Sequence, residues 1–151
     1  MKILSVEVSV IAHATEDPKK VLQALRNIFP DTTRSETKVT TQHLKGHHGN
    51  PINRMRTDLK KAKAINQFFD HLMNSLEAED RRLIVENMDT HMDEEGNLYL
   101  RVDKQAAYMG EVRLKQEDPI RIRVKLIDDI SKRSLTADQV KELLLRYEEV
   151  C

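Results

Sequence analysis

The sequence predicts an α+β fold, a largely antiparallel sheet with helices packed on one face and an open, partly basic opposite face. Three observations carry this reading. Residues 3–12 and 120–127 alternate apolar and polar side chains with the period of a strand that buries one face. Residues 18–29, 60–76 and 136–147 place apolar side chains at helical spacing instead. The patterns follow one another as β-α-β-β-α-α-β-β-α, an order that sets helices against one face of an antiparallel sheet.

In the first strand Leu4, Val6, Val8 and Val10 share one side, and Ser5, Glu7 and Ser9 share the other. Thr15 or Asp17 can cap the helix that follows, with Pro18 in its first turn. Val21, Leu22, Leu25, Ile28 and Phe29 form its apolar stripe, and Pro30 ends it. The β-branched stretch 37–45 reads as a second strand, and GHHGNP (46–51) as a compact turn. In INRMRTDL, Ile52, Arg54 and Arg56 alternate as in a strand while Met55 and Leu59 sit at helical spacing, and its distance across the turn favours a hairpin partner.

Residues 60–76 give the clearest helix, striped by Ile65, Phe68, Phe69, Leu72, Met73 and Leu76. A second helical run at 78–88 carries Leu83, Ile84 and Met88 opposite a charged face. Gly96 closes the acidic turn beyond it at a position that needs positive φ. Leu98, Leu100 and Val102 alternate with Tyr99, Arg101 and Asp103 in the next strand. DKQAAYMG reads as a short helical turn capped by Asp103 and closed by Gly110. In IRIRVKLI, Ile120, Ile122, Val124 and Leu126 face a core while Arg121, Arg123 and Lys125 share the opposite side. Thr136 and Gln139 form a capping box for the last helix, striped by Val140, Leu143, Leu144 and Tyr147.

A chain of 151 residues is the size of one domain, so 1–151 is read as a single unit. With 39% hydrophobic and 33% charged residues it is neither low-complexity nor wholly disordered. No run approaches the ~18 apolar residues of a membrane span, and MKILSVEVSV lacks the features of a signal peptide. The single cysteine, Cys151, excludes an internal disulfide framework and a zinc knuckle. A cytoplasmic location is expected.

The formal net charge of zero hides a strong segregation. Residues 34–63 hold eight Lys/Arg against two acids, and 77–96 hold eight acids against two arginines. Residues 101–125 return to seven Lys/Arg against four acids. Alternation spaces Arg121, Arg123 and Lys125 at roughly 6.6–7 Å, comparable to successive phosphates on a nucleic-acid strand. Arg54, Arg56, Lys60 and Lys61 extend that surface if the hairpin packs beside it. Trp is absent and the phenylalanines fall on core stripes, so only Tyr99 and Tyr108 are placed to stack on bases. Structured RNA held by phosphate and shape contacts is therefore expected over base readout.

Other chemistries fit less well. His43, His47 and His48 have no carboxylate or cysteine at ligand spacing, and adjacent histidines in a tight turn cannot easily ligate one ion. Asp89, His91, Asp93 and Glu95 alternate as in a calcium loop. The sixth and twelfth places of such a loop need Gly and Glu, and here hold Glu94 and Leu100. No metal or cofactor is expected. There is no Ser-His-Asp order, no HExxH and no glycine loop for a nucleotide, so no enzyme activity is expected either.

Four stretches resemble an archaeal family of RNA-binding proteins and predicted exosome subunits: VSVIAHATEDPKKVLQALRNIFP (8–30), LKGHHGNPI (44–52), LYLRVDKQAAYMGE (98–111) and IRIRVKL (120–126). The resemblance implies a fold similar to the ribosomal large-subunit protein that binds 5S ribosomal RNA. It also implies work in RNA processing or alongside exosome or ribosome-associated proteins. It adds Lys45, His47, His48, Asn50, Lys104, Gln105 and Tyr108 as candidate RNA-binding residues. The alternative reading is a non-enzymatic protein–protein adaptor that uses its acidic and basic faces. A homodimer through an exposed strand edge or the final helix is compatible with either.

Overall fold

The computed structural model describes residues 1–34, 37–46 and 48–149. Its elements are β1 (Lys2–Ala12), α1 (Pro18–Asn27), α2 (Asp31–Arg34), β2 (Thr40–Lys45), β3 (Pro51–Leu59), α3 (Ala62–Ser75), α4 (Ala78–Glu86), α5 (Met88–His91), β4 (Asn97–Val102), α6 (Lys104–Tyr108), β5 (Ile120–Ile127) and α7 (Ala137–Glu149). All strand pairs are antiparallel, in the order β2-β3-β1-β5-β4. The expected α+β architecture with an open sheet is therefore present. The short helices α2 and α5 were not visible in the sequence pattern.

Strand alternation divides the sheet into two unlike faces. Val6, Val8 and Val10 of β1, Leu98, Leu100 and Val102 of β4, and Ile120, Ile122 and Val124 of β5 are buried beneath the helices. They meet the stripes of α1 and α3, and the ring of Phe29, just past the end of α1, lies with its centroid 4.7 Å from that of Phe68. Leu4 departs from the expected alternation and is exposed. The register of β1 on β5 shifts between Ile3 and Ser5, so Leu4 is the extra residue of a bulge and Ile3 takes the buried place.

Local chemistry fixes the helix ends. Asp17, not Thr15, caps α1 by accepting from the Lys19 amide. Asp103 does the same for α6 through the Gln105 amide, and Gly110 at φ 85° ends that turn. Thr136 and Gln139 form the expected box, the Thr136 amide donating to Gln139 Oε1 at 2.9 Å and the Gln139 amide to Thr136 Oγ1 at 3.3 Å. Gly96, at φ 81°, has no room for a side chain: a Cβ would lie 2.8 Å from the Leu126 carbonyl oxygen.

The charged face expected on 78–88 is only partly solvated. Leu83 is exposed, whereas Asp80 and Arg81 are buried. Arg81 donates from one guanidinium nitrogen to the Met73 and Leu76 carbonyls at 2.9 and 2.7 Å, satisfying the C-terminal end of α3. Asp80 accepts from Arg113 Nε at 3.0 Å and from the Leu114 amide at 3.2 Å, anchoring the segment between α6 and β5. Arg81→Met should cost about 1–3 kcal/mol in denaturant unfolding, because both carbonyls lose their donor in a buried place. The exposed Leu83→Ala, two residues on in the same helix, should change stability by no more than about 0.5 kcal/mol. Equal effects would show that Arg81 is not the cap of α3.

Candidate nucleic-acid interface

The open face of the sheet is a charge array set by strand register. Read across the strands, Thr40, Arg56, Ser9, Arg121 and Arg101 form one row. Asp58, Glu7, Arg123 and Tyr99 form the next, and Gln42, Arg54 and Ile11 a third. The hairpin thus packs beside the central strands, and Arg54 and Arg56 join Arg121 and Arg123 on one surface, as the sequence suggested. Arg101 belongs with them. It was legible as an outward residue of its strand, but only the register shows that it stands directly opposite Arg121.

Glu7 lies at the centre of this surface. Its carboxylate is 2.5 Å from Arg123, 3.4 Å from Arg56 and 4.0 Å from Arg54, with only 16% of the side chain exposed. The arginines come from strands on both sides of β1, so one carboxylate holds three guanidinium groups of the two flanking strands. Each guanidinium has five N–H donors and retains several for other acceptors. The Arg121 side chain, by contrast, makes no hydrogen bond or ion pair among the described residues, and the Arg101 guanidinium donates only to the neutral Gln116 Oε1 at 3.1 Å. A shallow hollow of about 180 Å³ opens between these groups, lined by Glu7, Ser9, Arg54, Arg101, Arg121 and Arg123 among others.

Several sequence candidates fall elsewhere. Lys125 is on the same face of β5 as Arg121 and Arg123, but it is half-buried and donates to the Glu95 carbonyl and to Ser134 Oγ, so its ammonium fastens the turn before β4 to the segment before α7. Lys45 pairs with Pro51, which puts it on the opposite side of the pleat from Arg54 and Arg56. Lys60 and Lys61 lie past the end of β3, where the chain turns into α3, and line a separate hollow of about 340 Å³ with Lys38. His48 and Asn50 are exposed on the hairpin turn, which Gly46 closes by donating to the Asn50 carbonyl at 2.6 Å. His47 lies outside the described residues.

The DKQAAY stretch belongs to the framework. Lys104 Nζ donates to the Ile11 carbonyl at 2.6 Å, to Asp118 at 2.9 Å and to Glu16 at 3.0 Å, and is largely buried. Asn27 of α1 donates to the Ala107 and Tyr108 carbonyls. Gln105 and Tyr108 are exposed, but they line a hollow against α1, on the helical side of the sheet. His13, Glu16 and Asp118 bring potential ligand atoms within 4.8 Å of one another, a grouping that the sequence concealed. The Lys104 ammonium already supplies positive charge to Glu16 and Asp118 of this group. Burial pushes the Asp118 carboxyl up, but hydrogen bonds from His13 and Lys104 and their charges hold it below the usual range.

Asp93 anchors the edge of the array. Burial raises its carboxyl, but this is outweighed by donation from Asn97, Tyr99 and the Glu95 amide, which lower it to about 2. Tyr99 donates its hydroxyl to Asp93 Oδ2 at 3.0 Å, and its phenol is pushed up by burial and by that carboxylate. No helix is long and apolar enough to cross a membrane among the described residues.

Comparison with known proteins gives the family of the chain. Residues 5–126 match the model of a family described as RNA binding. An RNA-binding protein of Pyrococcus abyssi is 34% identical over 142 residues, covering 93% of this chain and 92% of the relative. The crystal structure of protein AF2318 from Archaeglobus fulgidus superposes with a TM-score of 0.79 at 33% identity, covering 97% and 99% of the two chains. A DUF54 protein from Methanothermobacter thermautotrophicus gives 0.76 at 28% identity, covering 95% and 99%.

Asp93 also makes a testable contribution to stability. Its folded pKa is depressed, so the contribution is complete above the unfolded value of 3.8 and is lost as pH falls towards about 2. Unfolding free energy followed from pH 5 to pH 2 should therefore fall less steeply in Asp93→Asn than in the native chain, about 4 to 2 being the window of difference. Parallel curves would show that Asp93 does not bear this load.

Proposed function

The chain belongs to the RNA-binding family, and on that premise we propose that it holds structured RNA by phosphate contacts across the open face of its sheet, without catalysing a reaction on it. The observation that carries this reading is the Arg101–Arg121 pair. Like charges directly opposite on neighbouring strands are destabilising. Here they face each other with no carboxylate bonded to either among the described residues. A phosphate lying between them would remove the repulsion and accept from both forks. Arg54, Arg56 and Arg123, held by Glu7, continue the cation track across the sheet.

With strands ~4.8 Å apart and alternate residues ~6.6–7 Å apart, the array presents cations at several spacings over a broad surface. That geometry favours a folded RNA, whose phosphates are fixed relative to one another, and tolerates many sequences. The resemblance to an archaeal family of RNA-binding proteins and predicted exosome subunits, with the ribosomal-protein-like fold that it implies, supports a cytoplasmic role in RNA processing or beside the ribosome.

An electrophoretic shift series with a blunt RNA hairpin at two salt concentrations tests the reading. Arg101→Gln with Arg121→Gln should weaken binding of unrelated hairpins alike and lower the salt slope by up to roughly 0.7–0.9 for each arginine. Lys60→Gln with Lys61→Gln should leave the slope closer to that of the native chain. A native slope in the arginine variant would remove the open face as the RNA surface.

A further inference from the structure

The open face does not end at β4. The hollow of about 180 Å³ among the arginines shares Tyr99 and Arg101 with a second hollow of about 510 Å³, lined by Thr90, His91, Tyr99, Arg101 and Gln116. That hollow in turn shares Thr90, His91 and Gln116 with a third, of about 450 Å³, reaching Leu83 and Lys115. A continuous groove therefore leaves the phosphate-binding surface over the β4 edge and runs between α4–α5 and residues 114–116. The middle hollow is within the ~300–1,000 Å³ typical of small-molecule sites.

Its polar groups are held in place before any ligand arrives. Tyr99 is 40% exposed, yet its hydroxyl is fixed on Asp93 and its backbone carbonyl accepts from His91 Nδ1 at 3.0 Å. A carbonyl only accepts, so Nδ1 carries the proton and Nε2 of the neutral ring is an acceptor. Gln116 accepts from Arg101 through Oε1, which assigns its amide orientation and leaves the NH2 group as a donor. The hollow thus combines an anchored aromatic ring, one acceptor and one donor beside the Arg101–Arg121 pair.

We propose that this hollow is a subsite for an unpaired nucleotide of the bound RNA. The base stacks against Tyr99 and offers an edge to His91 and Gln116, while its phosphate lies on Arg101 and Arg121. One donor and one acceptor complement a neighbouring acceptor–donor pair that every base presents, so the subsite selects an unpaired base over a paired one more than one base over another. The proposal rests on the open face being the RNA surface, and it makes the preferred ligand a structured RNA with a single-stranded extension or bulge.

The test compares a blunt RNA hairpin with the same hairpin carrying a short single-stranded extension, labelled with 2-aminopurine, by titration at fixed salt. The native protein should favour the extended RNA by roughly tenfold, the scale of one aromatic stack, and should change the label's emission on binding. Tyr99→Phe should retain both effects. Tyr99→Ala, with Gln116→Ala as a second variant outside the sheet and circular dichroism to check folding, should lose the preference and the change in emission. No preference in the native protein, or one that survives both alanine variants, would overturn the subsite while leaving the phosphate surface intact. Failure of the native protein to bind either RNA would overturn the subsite and the RNA reading together.

Discussion

The carboxylate of Glu7 is the interaction on which the open face depends. It sits on the central strand, mostly shielded by its neighbours, within 4.0 Å of guanidinium groups from β3 and β5. Three arginines on flanking strands would otherwise repel one another at the middle of the sheet. Because Glu7 is shared among them, the face stays cationic: Arg54, Arg56, Arg101, Arg121 and Arg123 outnumber Glu7 and Asp58. The central position of β1 makes this possible, since only a strand paired on both sides can bring the hairpin and the late strand β5 to one side chain.

A cation's role here is decided by its partner. Lys104, Lys125 and Arg81 are as positive as Arg121, but each is aimed at protein carbonyls or carboxylates and holds separate segments together. Lys104 joins the end of β1 to α6 and to the approach of β5, and Arg81 closes the end of α3. These contacts brace the sheet from its rims and its helical side, so the arginines of the open face stand on a fixed platform. The backbone positions of the array are therefore fixed before binding, and Glu7 holds Arg54, Arg56 and Arg123, which leaves chiefly the Arg121 side chain to be ordered by a ligand.

Much of this was legible in the sequence because one-face burial writes itself as alternation. β1, β4 and β5 could be read directly, as could the hairpin from GHHGNP and the caps at Asp103 and Thr136, whereas the first cap was narrowed only to Thr15 or Asp17. The bulge at Leu4 was not legible, since it is a property of pairing with β5 and not of the β1 sequence. Sequence also could not separate the cations. Lys45 and Lys104 are as polar and as close to the resemblance motifs as any binding residue, and only register and long-range contacts show that one faces away and the other is structural. The opposition of Arg101 and Arg121 was likewise hidden, because it joins two strands whose relative register the sequence does not state. Asp80 and Arg81 looked like a solvated helix face because their partners, Arg113 and the end of α3, are distant or lie across a helix junction.

RNA bound across the open face, and not on the helical side, would set its phosphates beside the arginines of β3, β4 and β5. Nitrogen-15 NMR of the native chain titrated with a blunt RNA hairpin measures this directly. With RNA in that place, the largest shifts should fall on the guanidinium Nε–H groups of Arg54, Arg56, Arg101, Arg121 and Arg123 and on the amides of β1 and β5. Shifts confined to α1 and α6 around Gln105 and Tyr108, or to the hollow around Lys38, Lys60 and Lys61, would contradict it.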